Sequence, residues 1–155
     1  MKENRPSFQD IYMRLALMMA ERSTCARLNV GCIITSPDFR YVYGTGYNGS
    51  TSGGPNDCDL HGEAAVGACG CLHAEVNAVI NCCTPRSSPK IVFCSHLPCK
   101  MCAKALVNLG GVQKVFYNMD YRNREGLLWL TQAGIHNEQH IVAITGAGSL
   151  EALAR

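Results

Sequence analysis

Residues able to hold and use a metal ion stand in two short groups of this 155-residue chain, His73-Ala74-Glu75 and Pro98-Cys99-Lys100-Met101-Cys102. One imidazole and two thiols are ligands that zinc prefers. Three protein ligands leave a fourth position for water, which marks a catalytic site and not a structural one. Two thiolates neutralise Zn2+, and a hydroxide in the open position adds a negative charge that needs support. Glu75 is the carboxylate at hand to take the water's proton, on one condition. Residues two apart face different ways in mid-helix, so His73 and Glu75 must lie at a helix N-terminus to converge.

The elements that must position these groups follow from apolar spacing. Ser7 caps a helix through Ile11, Leu15, Met18 and Met19, whose apolar residues recur at helical intervals. Strands are expected over 30–35 and 41–47, with Ser36-Pro37-Asp38 as the turn between them. Residues 49–70 are rich in Gly, Ser, Asp and Cys and have no period. They read as a long loop that is functional or tied down by something. Helices and strands then alternate: helix 74–82, strand 90–95, helix 99–109, strand 114–118, helix 127–133 and strand 140–144. Gly110, Gly111 and Gly134 fall where helices should end. The alternation argues an α/β layered sheet, and the first hairpin makes its five strands mixed in direction. His73 opens a helix after a loop of glycines and cysteines, which meets the condition on Glu75. Pro98 and Cys99 open the next helix, where proline costs no hydrogen bond and the N-terminal dipole favours thiolates.

Composition bounds the setting. The length suits a single domain, 1–155. Hydrophobic residues make up 47% and charged residues 17%, below the roughly 25% charged of an average domain. Such a chain has an extensive core and surface suited to burial against copies of itself. The net charge is +2 and the basic residues are scattered, which calls for neither nucleic acid nor an anionic membrane. No apolar run approaches the ~18 residues that cross a bilayer, and the polar start is not followed by a signal-peptide pattern. The expected compartment is the cytoplasm, where thiols stay reduced. Ten cysteines then mean metal ligands and core residues before they mean disulfides.

Alone, His-Ala-Glu is an ordinary helix surface, and Cys-x-x-Cys is a structural half-site or a redox pair. Together with the proline they form the zinc-deaminase signature H-x-E…P-C-x-x-C. Further stretches narrow the match: Ser23-Thr-Cys-Ala-Arg-Leu-Asn-Val-Gly31, Gly46-Tyr-Asn-Gly-Ser50, Ser52-Gly-Gly54 and His73-Ala-Glu-Val-Asn-Ala78. Over roughly residues 10–145 the chain resembles the deoxycytidylate deaminases of the cytidine deaminase-like superfamily. The resemblance implies a three-layer α/β/α sandwich around a mixed five-stranded sheet. It implies conversion of dCMP to dUMP and ammonia, feeding thymidylate synthesis, by a homohexamer. It also implies activation by dCTP and inhibition by dTTP, with Mg2+ accompanying the triphosphate, although the effector residues do not map onto this chain.

On that reading His73, Cys99 and Cys102 hold zinc and its hydroxide, which attacks C4 of cytosine. Glu75 protonates N3 and then the leaving ammonia. Arg27, a planar and permanently charged group just before the first strand, suits the 5′-phosphate, with Tyr121 as a second contact. Asn48, beside Gly49 at a strand end, is placed to hydrogen-bond sugar or base. Ala74 and Val30 pack against the base or belong to the core, and Asn77 steadies the catalytic helix. The resemblance further implies a second, structural zinc placed approximately at Cys25, Cys58, His61 and Cys71, with Cys69 able to replace His61 or Cys71. A closed four-ligand zinc would fix the long loop; otherwise these are free loop thiols. Cys32, Cys82, Cys83 and Cys94 read as small buried residues.

Two other readings stay open, a zinc deaminase of another nucleoside, base or tRNA, and a non-catalytic module stapled by zinc. Arg27 and Tyr47-Asn48-Gly49 argue for a nucleotide, and scattered charge argues against tRNA. Glu75 argues for an enzyme, because a structural site needs no carboxylate beside its ligands.

Overall fold

The computed structural model describes residues 5–58 and 69–142. The chain runs α1 (Phe8–Ala20), β1 (Gly31–Thr35), β2 (Val42–Tyr47), α2 (Ala74–Ile80), β3 (Lys90–His96), α3 (Lys100–Leu109), β4 (Val112–Met119), α4 (Glu125–Gln132) and β5 (His136–Gln139). The five strands form one sheet in the order β2-β1-β3-β4-β5. β1 is antiparallel to both β2 and β3, while β3, β4 and β5 are parallel. The sheet is therefore mixed, as the hairpin and the later alternation require.

Side chains alternate across the strands and so build two cores. Cys32, Ile34, Val92, Cys94 and Val115 point to one face and pack against Ala78 of α2, Leu106 of α3 and Leu130 of α4. Ile33, Ile91, Phe93 and Phe116 point to the other face, against Met13, Ala16 and Leu17 of α1. Helices on both faces make this a three-layer α/β/α sandwich. α1 starts from a capping box: Ser7 Oγ accepts the Asp10 N–H and the Asp10 carboxylate accepts the Ser7 N–H, each at 3.0 Å.

Two features differ from expectation. The last strand among the described residues occupies His136–Gln139, ahead of the expected 140–144. It is an edge strand, so polar and largely exposed residues suffice. The apolar run that looked like a strand begins with Ile141 exposed and Val142 buried against the α1 layer; its remainder lies outside the described residues. Lys90, at the start of β3, is fully buried. Its ammonium donates to the carbonyls of Ser88 at 2.7 Å, Pro85 at 2.8 Å and Gly110 at 3.1 Å. One cation thus ties the loop before β3 to the C-terminal end of α3, where the dipole favours positive charge. Burial lowers its pKa from the usual lysine value.

Candidate active site

The site forms where the N-termini of α2 and α3 meet the C-terminal ends of β3 and β4. His73 is the N-cap of α2, with extended backbone at φ −72° and ψ 152°, and Glu75 lies in the first turn. The two side chains therefore converge instead of diverging as they would in mid-helix. Asn77 Nδ2 donates to the Tyr47 carbonyl at 2.8 Å and anchors that turn to β2. Cys99 is the N-cap of α3 and Cys102 lies within its first turn, buried.

His73 Nδ1 lies 3.2 Å from Cys102 Sγ and 3.5 Å from Cys99 Sγ. A tetrahedral zinc with its usual bond lengths holds its ligand atoms about 3.6 Å apart, so the donor set fits that ion in type, number and separation. The electrostatics ask for a cation. Cys99 is drawn down to about 4, chiefly by the Cys102 thiol hydrogen bond, with help from the His73 ring. Cys102 is pushed up by sharing that bond and by burial, so the first thiolate resists a second. Glu75 is 4% exposed. Its burial raises the carboxyl above the ordinary range.

Beside these groups lies a cavity of about 220 Å³. Arg27, Asn48, Ala74 and Tyr121 all line it, together with His73, Glu75 and Cys99. Asn48 is more committed than its position in the sequence indicated. Its Oδ1 accepts the Val30 N–H at 2.8 Å and its Nδ2 donates to the Leu28 carbonyl at 2.6 Å. One N–H of the amide remains to reach into the cavity. Three lining residues went unnoticed in the sequence: His96, Leu97 and Arg122. Arg122 follows the C-terminal end of a parallel strand, where α/β sheets bind ligands, and that signal was available. His96 falls just past the expected strand 90–95, and nothing in the sequence marked it.

A second thiol cluster stands at the rim. The sulfurs of Cys25, Cys58, Cys69 and Cys71 all lie within 4.8 Å of one another. Cys25 and Cys69 are 3.8 Å apart, and Cys58 and Cys71 are 3.6 Å apart. Four sulfurs at that spacing match a closed zinc site made of four cysteines. Cys69 is a member, and His61 lies outside the described residues. Cys25, Cys69 and Cys71 also line the cavity, so this cluster forms part of its wall. Cys32 and Cys94 pair across β1 and β3 in the core, 3.6 Å apart.

The family described as "Cytidine and deoxycytidylate deaminase zinc-binding region" matches residues 6–119. The chain is 34% identical over 140 residues to the deoxycytidylate deaminase of Saccharomyces cerevisiae, covering 84% of this chain and 44% of that protein. It is 35% identical over 140 residues to ComE operon protein 2 of Bacillus subtilis, covering 87% of this chain and 72% of that one. The chain thus spans about half the length of the yeast relative and most of the bacterial one. Among solved structures, dCMP deaminase from the cyanophage S-TIM5, in complex with dCMP and dUMP, superposes with a TM-score of 0.74. It is 30% identical, over 89% of this chain and all of that one.

Proposed function

Because the chain belongs to the cytidine and deoxycytidylate deaminase family, we propose that it hydrolyses dCMP to dUMP and ammonia. One observation carries this reading: buried Glu75 lines a cavity with His73 and Cys99, two of the three clustered candidate ligands, and that cavity also presents Arg27 and Arg122. Likeness to a structure holding dCMP and dUMP supports the choice of nucleotide.

His73, Cys99 and Cys102 would hold zinc, which supplies an activated water when bound. Glu75 takes a proton, delivers it to N3 of the cytosine ring, and then carries a second to the departing amine. Its burial favours the protonated form, which is what a group that both accepts and returns a proton needs. Arg27 and Arg122 supply the fixed positive charge that a phosphate dianion requires, and Tyr121 adds a contact beside them. Ala74, wholly buried at the head of α2, packs against the base. Asn48 holds the 28–30 segment in place and offers its remaining N–H to sugar or base.

Cys25, Cys58, Cys69 and Cys71 would hold a second, structural zinc that fastens the long loop. The reading extends, on resemblance alone, to a homohexamer regulated by dCTP and dTTP with Mg2+. It extends in the same way to a single domain over 1–155 and to a cytoplasmic location. Among the described residues no helix is long and apolar enough to cross a membrane.

The deciding experiment follows ultraviolet absorbance during deamination of dCMP, deoxycytidine, CMP and dCTP, with and without dTTP. Turnover of dCMP in preference to deoxycytidine is the expected result. Equal turnover of deoxycytidine removes the phosphate role of the arginines, and silence on all substrates by zinc-loaded protein removes the deaminase reading.

A further inference from the structure

One buried side chain in the cavity has no part in the mechanism above. His96, the last residue of β3, is 7% exposed and lines the cavity with Glu75 and His73. Its Nδ1 lies 3.1 Å from Ser95 Oγ. That oxygen already accepts the Gly31 N–H at 3.0 Å, so the single hydroxyl proton of Ser95 is free to point at Nδ1. A neutral ring that accepts at Nδ1 carries its proton on Nε2. Ser95 donating to Nδ1 is the arrangement that leaves a proton on Nε2, whereas a ring protonated at Nδ1 and donating to Oγ would leave Nε2 bare. Among the described residues Nε2 makes no hydrogen bond. Nε2 therefore opens onto the cavity that His96 lines, since among the described residues Thr24 Oγ1 is the one side-chain atom both buried and without a hydrogen-bond partner.

We propose that His96 is a specificity-determining residue whose Nε2–H donates to the 2-carbonyl oxygen of the pyrimidine. The inference rests on the deaminase reading and deepens it. His96 lines the same cavity as His73, Glu75 and Cys99, which sets it beside the ring being attacked. The ring offers two acceptors, N3 and the 2-carbonyl oxygen. N3 is taken by Glu75, and the 4-amino group is a donor that departs. With Ser95 donating to Nδ1, the Nε2–H donor is in place before the nucleotide arrives. A site built around such a donor rejects a ring that cannot accept from it. The product keeps its 2-carbonyl, so dUMP depends on the same contact.

The test compares dCMP with its 2-thio analogue, whose sulfur is a poor acceptor, in wild type, His96→Phe and His96→Gln. Phenylalanine keeps the ring volume and loses the donor; the glutamine amide restores an N–H near the same place. Loss of one neutral hydrogen bond corresponds to roughly a 5- to 10-fold change in binding. Wild type should therefore show a KM for the 2-thio nucleotide about 5- to 10-fold above that for dCMP, with kcat little altered. His96→Phe should raise the KM for dCMP by the same factor, weaken dUMP inhibition in parallel, and abolish the preference for oxygen over sulfur. His96→Gln should recover most of it. Zinc content and melting temperature establish that each variant is folded. Equal KM values for the two nucleotides in wild type overturn the proposal, and this comparison decides even if His96→Phe does not fold. Persisting discrimination in His96→Phe overturns it as well. Failure of the deaminase reading looks different: zinc-loaded wild type turns over no cytosine nucleotide, and the His96 proposal falls with it.

Discussion

Gly46 of β2 and Ala74 of α2 meet backbone to backbone: a Cβ on Gly46 would fall on the Ala74 carbonyl oxygen. The turn that carries Glu75 thus rests directly on the sheet, with no side chain between. Gly46→Ala should push α2 outward, and overpacking of this kind costs about 1–3 kcal/mol. Turnover should fall together with melting temperature. A variant with wild-type kcat would show that Glu75 does not need this close seating.

Glu75→Gln preserves shape and removes the ability to carry a proton. Removing a general acid and base of this kind lowers turnover by about 10²- to 10⁴-fold. Zinc content should stay at the wild-type level, because His73, Cys99 and Cys102 are untouched. Substantial remaining activity would take Glu75 out of the proton-transfer role.

The two ligand clusters predict two zinc ions per chain by elemental analysis. Cys58→Ser with Cys69→Ser should leave one. If losing the rim site costs about 2 kcal/mol, the melting temperature falls by about 4–8 °C for a chain of this size. Wild-type protein with a single zinc would return the four rim cysteines to free thiols.

Lys90→Met should destabilise without touching catalysis. The side chain fits the same space, but the carbonyls of Pro85, Ser88 and Gly110 lose their shared donor. These acceptors are at most half-buried and can turn to water, so the loss is that of ordinary hydrogen bonds, about 1 kcal/mol each at most. Denaturant melts should register the loss, while KM for the nucleotide at low temperature stays as in wild type.

Stability on the acid side should depend on Asp10. Hydrogen bonds from Ser7, and then from His140 at 2.9 Å, hold its carboxyl below the ordinary value of 3.8. A carboxyl depressed in the folded state contributes stability above its unfolded pKa and loses it as pH falls through the folded one. Below about pH 4 the melting temperature of wild type should therefore drop more steeply than that of Asp10→Asn. Parallel curves would mean that Asp10 titrates alike in both states.

The chemistry was legible in the sequence because its parts are local. His73 with Glu75, and Cys99 with Cys102, each sit at the start of one helix, so their spacing together with the helix start tells which atoms converge. The same holds for the Ser7 cap, for the glycines that end α3 and α4, and for the alternation that produced a mixed sheet between helices. The fifth strand misled for the opposite reason. An edge position tolerates polar residues, so hydrophobicity marked the wrong segment.

The types and order of the candidate ligands, and the carboxylate beside them, were thus determined by the sequence itself, since they depend on residue identity and on separations of two or three residues. Tertiary structure alone decided which distant residues meet. It brought Cys69 to Cys25, Cys58 and Cys71, set His96 and Arg122 into the cavity wall, turned the amide of Asn48 toward Leu28 and Val30, and buried Lys90 under carbonyls. These contacts arise from strand order and from how helix ends seat on the sheet, and residues far apart along a chain carry no sign of their meeting until the layers are packed.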